Sequence, residues 1–295
     1  MVYNHLNKEP LATMFEIVSK RILNPTVTEM EIHSPLVAKK AEPGQFIILR
    51  VDEDGERIPL TVAGYDREKG NIKIIFQIVG ATTEKLNHKE VGDHISDFVG
   101  PLGVPTHVDG YKKVCVIGGG VGCAIALPVA KKLHELGAEV TSIIGFRNKD
   151  LLILEDEFKE VSKKSIVMTD DGSCGNKGNV TMPLKEMLDA GEEFDLIIAI
   201  GPLIMMKFVV STAKPYSIPV TVSMNPIMID GTGMCGGCRL SLVKEDGSRV
   251  MKFACIDGPD FNGYEVDFDE AMMRNRQYSE FEKKKREETC NLFKK

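Results

Sequence analysis

Over roughly the first hundred positions, apolar and polar residues alternate in short runs; after that the alternation stops and apolar blocks take over. Glu16 to Ile22 and Val27 to Ile32 both run with period two around Asn24-Pro25, which predicts two strands. Pro43-Gly44 predicts a turn into a strand from Gln45 to Val51, and Asp54-Gly55 a hairpin. Arg57 to Val62 and Asn71 to Val79 predict further strands, joined by the polar segment Asp66 to Gly70. About six strands with tight turns predict a small antiparallel β-barrel over residues 14–110, closed by Gly100-Pro101-Leu102-Gly103. Within it, Thr82 to Asn87 predicts a short helix, capped by Thr82 or Thr83 and with Glu84 in its first turn.

From Lys113 the pattern is that of an α/β domain with a parallel sheet, over residues 111–225. An apolar strand to Ile117 meets the turn Gly118-Gly119-Gly120-Val121-Gly122, then a helix to about Leu136, ended by Gly137, then a strand from Glu139 to Gly145. Strand, glycine-rich turn, helix and strand make the unit that brings backbone amides close to nucleotide phosphates. Cys123 stands where the dinucleotide fingerprint has its third glycine. The second strand ends in Gly145-Phe146-Arg147 with no acid, so a plain dinucleotide dehydrogenase is not expected. Helices at Leu154–Ser162, Pro183–Ala190 and Leu203–Ser211 alternate with strands at Ser165–Thr169, Asp195–Ile200 and Val220–Met224, the last of these closing the sheet. The strand ends at Thr169-Asp170-Asp171-Gly172 and Gly201-Pro202 fall where a parallel sheet opens its ligand crevice; the plainer reading is that these glycines only make turns.

Beyond the sheet, Leu240–Val243 and Arg249–Ala254 predict a hairpin around Asp246-Gly247, and residues 265–295 a charged helical tail whose Lys283–Glu288 stretch is a solvated face. Residues 1–13 are patternless and are expected to be a flexible leader. Composition adds limits. The 295 residues suffice for about two domains. With 37 basic against 43 acidic residues the net charge is −6, which does not suit a nucleic-acid surface. The longest apolar stretch, Leu196 to Met206, is broken by Gly201-Pro202 and is too short to span a membrane. There is no charged-then-apolar leader, and the seven cysteines are odd in number, so a reducing cytoplasm and metal ligation are expected rather than disulfides.

The candidate metal chemistry lies in residues 226–264. Asp230 is followed by Cys235 and Cys238 in a Cys-x-x-Cys, and Cys255 follows with sixteen residues between it and Cys238. Gly231, Gly233, Gly236 and Gly237 allow the backbone to curl around a metal centre. A zinc site needs a fourth Cys or His. None of the six histidines is near in sequence, and the other cysteines, at 115, 123, 174 and 290, are scattered. A [2Fe–2S] cluster on three cysteines and one other ligand fits the local residues better. Zinc with a distant ligand, and a redox-active or structural cysteine pair, stay open.

Several short stretches carry a resemblance in this order. Arg57-Ile58-Pro59-Leu60-Thr61-Val62 resembles a flavin-binding strand, Gln77-Ile78-Val79 the strand beside the flavin, and Gly80-Ala81-Thr82-Thr83 a pyrophosphate turn. Gly100-Pro101-Leu102-Gly103 resembles a barrel-closing motif, and Gly118 to Gly122 a nicotinamide-nucleotide loop. Gly145-Phe146-Arg147-x-x-Asp150-Leu151 and Thr169-Asp170-Asp171-Gly172-Ser173-x-Gly175 resemble two further stretches around that nucleotide. Together, over Met14 to Tyr264, they resemble the ferredoxin–NADP reductase superfamily. The nearest branch holds the electron-transfer subunit of dihydroorotate dehydrogenase and the small (alpha) subunit of NADH-dependent reduced ferredoxin:NADP oxidoreductase, also described as sulfide dehydrogenase. In the dihydroorotate subunit the cysteine loop begins with Cys; here it begins with Asp230, which looks more like the ferredoxin:NADP subunit.

The resemblance implies an electron-transfer oxidoreductase subunit. FAD is implied on Arg57, Pro59, Leu60, Thr61, Val62, Gln77, Ile78, Val79, Gly80, Thr82, Thr83, Gly100, Pro101 and Gly103. NAD(H) is implied on Gly118, Gly119, Gly120, Val121, Gly122, Arg147, Asp171, Gly172, Gly201 and Pro202. A [2Fe–2S] cluster is implied on Asp230, Cys235, Cys238 and Cys255. No general acid or base is implied. A larger flavin- and iron–sulfur-containing subunit would complete a heterodimer, reach ferredoxin and carry out electron bifurcation. The alternatives are the dihydroorotate partner and, from another class, a non-redox zinc-stabilised nucleotide-binding module.

Overall fold

Two sheets organise residues 15–276, the part of the chain that the computed structural model describes. The expected leader at 1–13, and the tail beyond 276 with Cys290, lie outside the described residues. The first sheet has six antiparallel strands: β1 (Ile17–Asn24), β2 (Val27–His33), β3 (Phe46–Arg50), β4 (Arg57–Asp66), β5 (Asn71–Gln77) and β6 (Asp97–Leu102), in the order β1-β2-β5-β4-β3-β6. Its two edges meet. Glu16 bridges His94, and the Ile17 amide donates to the Asp93 carbonyl at 2.8 Å, so the start of β1 closes against the approach to β6. Period-two alternation sends Met30, Ile32, Ile47, Leu49, Ile72, Ile74 and Phe76 into the interior, all buried. The strand β4 runs four residues past the expected Val62, because a bulge after Val62 lets Gly64, Tyr65 and Asp66 go on pairing with β5.

Helix α1 (Pro35–Ala38) and helix α2 (Ala81–Asn87) interrupt the barrel. Neither Thr82 nor Thr83 caps α2. The cap is Gly80, in extended backbone, and Thr83 in the first turn reaches back, its Oγ1 accepting the Val79 and Gly80 amides at 3.0 Å.

The second sheet is parallel in β10 (Asn176–Lys177), β9 (Lys164–Thr169), β8 (Glu139–Phe146), β7 (Lys113–Gly119), β11 (Leu196–Ile200) and β12 (Val220–Ser223), in that spatial order. Helices α3 (Gly122–Glu135) and α4 (Glu155–Val161) cover one face, where Val114, Val116, Val140 and Ile144 point. Helices α5 (Thr181–Asp189) and α6 (Leu203–Ala213) cover the other, where Cys115, Ile117, Ile143 and Ala199 point. Burial on both faces is why these strands read as apolar blocks.

The strand at Val220 does not close the sheet. After the hairpin β13 (Arg239–Val243) and β14 (Arg249–Phe253) and the single turn α7 (Ala254–Asp257), the chain returns as β15 (Asp260–Asn262) and pairs antiparallel with β12. Three residues, two of them turn formers, carry no period to read. Helix α8 (Phe268–Arg276) then packs against α6 and β13. Among the described residues no helix is long and apolar enough to cross a membrane.

Candidate functional site

The C-terminal ends of the parallel strands open onto a cleft of about 710 Å³. Its wall on the sheet side is the glycine turn after β7 (Gly119, Gly120, Val121, Gly122), Phe146 and Arg147 after β8, Asp170 after β9, Gly201 and Pro202 after β11, and Ser223 and Asn225 after β12. The barrel closes it with Asn24, Thr26, Val27 and Gln77. This is the crevice a doubly wound sheet offers a dinucleotide. At Gly122 a Cβ would lie 2.5 Å from the Ile200 carbonyl oxygen, so α3 can start this close to β11 only with glycine. Cys123 takes the third-glycine position because its small thiol fits beneath Gly118, fully buried; burial pushes that thiol well above its ordinary range.

Arg147 and Asp170, both exposed, put one cation and one carboxylate on the cleft. Asp171 and Gly172, expected from the sequence, are not among the lining residues. Asp171 turns back on its own loop: its Oδ1 accepts the Ser173 amide at 2.9 Å and the Ser173 hydroxyl at 2.6 Å, and the hydroxyl first, then the amide, hold its carboxyl below the usual range. Gly118 lies within β7, under Cys123. The sequence reading also missed the opposite wall, formed by Asn179, Val180, Met205 and Phe208; residues just after Gly178 or on the first two turns of α6 carry no motif that announces them.

On the barrel, β4 holds Arg57, Pro59, Leu60, Thr61 and Val62, and Val62 is buried while the others are partly or fully exposed. Ile78, Val79, Gly80, Thr82 and Thr83 lead from β5 into α2. The Thr82 hydroxyl donates to Glu56 at 3.4 Å, so the segment entering β4 and the first turn of α2 lie side by side; Arg57, the next residue, is exposed. Val79 is 59 % exposed, an apolar side chain left on that face. Gly100 and Pro101 lie in β6, and Gly103 follows at φ +75, where a Cβ would be 2.9 Å from the Gly258 carbonyl.

The cysteine loop rests on the barrel: Gly231 lies against Ile48 and Leu102. Gly231, Gly233 and Gly236 take φ of +73, +82 and +66, while Gly237 does not adopt the left-handed region. Asp230 organises the turn. Its Oδ1 accepts the Thr232 amide at 2.9 Å and its Oδ2 the Cys235 amide at 2.7 Å. Cys238 and Cys255 are buried and flank the open end of the β13–β14 hairpin; Cys235 is exposed. Amides point at sulfur, Gly237 to Cys235 Sγ at 3.4 Å and Gly233 to Cys255. Burial, then the hydrogen bond with Cys238 and the charges of Cys238 and Asp230, push the Cys255 thiol up to about 12. Among the described residues no three His, Cys, Asp or Glu side chains surround a single ion position.

Comparison with known proteins bears on all three regions. A family model described as the iron–sulfur cluster binding domain of dihydroorotate dehydrogenase B matches residues 225–267. A Thermotoga maritima protein named dihydroorotate dehydrogenase B (NAD(+)), electron transfer subunit homolog, is 49% identical over 268 residues, 91% of this chain and 93% of that protein. The dihydroorotate dehydrogenase B electron transfer subunit of Streptococcus pneumoniae (strain R6) is 32% identical, over 85% of this chain and 96% of its own. A solved structure of an NADH-dependent reduced ferredoxin-NADP oxidoreductase, described in connection with flavin-based electron bifurcation, superposes with a TM-score of 0.87 at 46% identity, over 96% of this chain and 98% of that one. A cytochrome P450 reductase of Amycolatopsis, at 21% identity and a TM-score of 0.57, shares the fold.

Proposed function

The chain belongs to the family of dihydroorotate dehydrogenase B electron-transfer subunits, and on that premise we propose that it passes electrons between NAD(H), FAD and a [2Fe–2S] cluster, to or from a larger partner subunit. The observation that carries this reading is a shared core. Cys238 and Cys255 are packed in one buried cluster with Phe46 and Ile48 of the barrel and with Ile117, Ala199 and Val222 of the parallel sheet. The nucleotide cleft, the barrel and the cysteine loop are therefore held in one body, as an electron path requires.

FAD, held on the barrel, would supply chemistry that accepts one hydride, two electrons, from NADH and hands electrons on singly, so that a two-electron donor could serve a one-electron cluster. The chain's own residues supply the holding. The Gly119–Gly122 turn offers close backbone to the dinucleotide phosphates, with Arg147 and Asp170 at the mouth of the cleft and Gly201 and Pro202 on its wall. Arg57, Thr82 and Thr83 suit flavin phosphates; Thr61, Gln77 and the backbone of Ile78 and Val79 suit the ring side. Cys235, Cys238 and Cys255, two of them with amides aimed at sulfur, suit cluster thiolates. Asp230 is the proposed fourth ligand: a carboxylate that accepts two amides keeps lone pairs free for iron. A tetrahedral zinc site finds less support, since no histidine and no fourth cysteine stands near Cys235, Cys238 and Cys255 in the sequence. The partner is proposed to be the flavin- and iron–sulfur-containing subunit of a ferredoxin:NADP oxidoreductase, with bifurcation and ferredoxin on its side, and a heterodimer as the assembly. Asp230 at the head of the loop favours it. The relatives' name favours a second reading, a dihydroorotate-oxidising partner. All six described cysteines are free, which supports a reducing, cytoplasmic setting.

The test is the visible spectrum and the flavin, iron, zinc and sulfide content of the anaerobically purified chain, with Asp230→Ala and Cys238→Ala alongside. Flavin bands with about two irons per chain, and loss or change of the cluster signal in both variants, are expected. Zinc without flavin overturns the proposal. A co-purifying partner that contains no iron–sulfur centre selects the dihydroorotate reading.

A further inference from the structure

Where the barrel, the parallel sheet and the cysteine loop meet, the molecule buries a carboxyl that the electron path does not use. Asp260 opens β15, opposite Ser223 in register. Thr106, on the segment leaving β6, donates its hydroxyl to Asp260 Oδ2 at 2.5 Å. The other oxygen, Oδ1, is buried and, among the described residues, has no hydrogen-bond partner. The backbone gathers at the same point. The Val104 amide donates to the Gly258 carbonyl at 2.7 Å, the Met224 amide to Pro259 at 2.8 Å, and the Thr106 amide to Pro43 at 2.9 Å. Gln45 Nε2 donates to the Gly103 carbonyl at 2.9 Å. Three segments thus converge on one side chain: 103–106 from the barrel, 223–225 from the cleft wall, and 258–260, a few residues after Cys255.

We propose that Asp260 is a positioning residue for the electron path: its carboxyl holds Thr106 of the barrel segment while its backbone pairs with Ser223 of β12, so that the nucleotide cleft and the Cys255 segment keep a fixed relation to the barrel. This rests on the electron-transfer reading above. A carboxylate with an unpartnered oxygen away from water is disfavoured, so this site favours the neutral acid over the charged one. Burial pushes the carboxyl above its ordinary range, opposed by hydrogen bonds from Thr106 and Ser223. Among the described residues no charged side chain acts on it: Asp257 is held by Lys252 Nζ and the Phe253 amide, and His107 turns to the Tyr111 ring. The native state holds this proton more tightly than the unfolded chain does. Its contribution to stability is therefore complete below the ordinary carboxylate pKa and is lost as pH rises through the raised one.

The test uses the full chain, loaded anaerobically, as wild type, Asp260→Asn, Asp260→Ala and Thr106→Val. Asn keeps the neutral shape and an acceptor for Thr106. Its Tm is expected to match wild type at low pH and to stay level where wild type falls with rising pH. Amide exchange over 103–106 and 222–225 is expected to quicken about tenfold in Asp260→Ala and Thr106→Val and to be unchanged in Asp260→Asn. After mixing with NADH and rapid freezing, cluster reduction is expected to lag flavin bleaching further in Asp260→Ala than in wild type, and Asp260→Asn to restore the ratio. Equal pH slopes for wild type and Asp260→Asn, or unchanged exchange or an unchanged ratio in Asp260→Ala, would overturn the positioning role. A loaded chain that binds no flavin or no cluster instead defeats the electron-transfer reading, and the pH and exchange arms still decide the role of Asp260.

Discussion

At the scale of single residues, Asp230 orders the turn that carries Cys235. Its carboxylate is held below the usual range by the Thr232 amide first and by the Cys235 amide as well. The order it lends the loop is therefore present above the ordinary carboxylate pKa and is lost as pH falls through the lowered one. The protection factors of the Thr232 and Cys235 amides, exchange rates taken relative to the intrinsic rate at each pH, are expected to fall on acidification in the iron-free chain and to be low at every pH in Asp230→Ala; pH-independent protection in the wild type would show that the carboxylate does not order the turn. The thiols should also differ. In the iron-free chain iodoacetamide is expected to modify the exposed Cys235 first and Cys255, buried and raised to about 12, far more slowly. Cys115 and Cys123, both fully buried, should react only on unfolding, and mass mapping of a timed reaction reads the order. The cysteine spacing was legible in the sequence, because ligand spacing is local. The choice of Asp170 over Asp171 as the cleft-lining acid was not: two adjacent carboxylates look alike until the turn after β9 sends one of them back to Ser173.

At the scale of elements, legibility followed length and period. The β7–α3–β8 unit was read almost to its ends, since apolar strands and a fourteen-residue helix leave a strong pattern. β10, β15 and the one-turn helices α1 and α7 are two to four residues long and left none. What pattern also cannot show is how closely elements approach. Gly122→Ala adds a methyl group against the Ile200 carbonyl oxygen at 2.5 Å and must push α3 away from β11. A cost of about 1–3 kcal/mol is expected. NADH affinity should fall by more than the stability loss explains if the displaced turn meets phosphate, as proposed. Cys123→Gly, one position on, restores the usual third glycine; it should lower Tm while leaving NADH binding near wild type. Equal damage to binding from both would mean that the glycine turn does not hold the nucleotide. Calorimetric melting and NADH titration of the two variants separate these outcomes.

At the scale of the whole molecule, the order of barrel, nucleotide sheet and cysteine loop was legible through a chain of weak motifs, but the contacts among them were not. Period tells which face is buried and is silent about what covers it. Val27 and Ile75 read as ordinary inward or outward positions of barrel strands; in the structure they join the core of the parallel sheet beside Leu127, Phe146 and Leu154. Asn24 adds a hydrogen bond from Nδ2 to the Leu151 carbonyl at 3.2 Å, and Arg21 stands 3.7 Å from Glu157. The ion pair is half exposed and contributes little; the apolar contact should dominate. Barrel and sheet are therefore expected to unfold together, as one cooperative transition with equal calorimetric and van't Hoff enthalpies. Ile75 is 8 % exposed, and Ile75→Ala should cost about 2–5 kcal/mol by leaving a cavity at this junction. If the contact couples the two sheets, the variant splits the single transition into two, the barrel melting first, and raises the KM for NADH, since Val27 and Gln77 line the cleft from the barrel side. Two resolved transitions already in the wild type would mean that the sheets are independent bodies, and the fixed geometry that the proposed electron path needs would then have to come from the proposed partner.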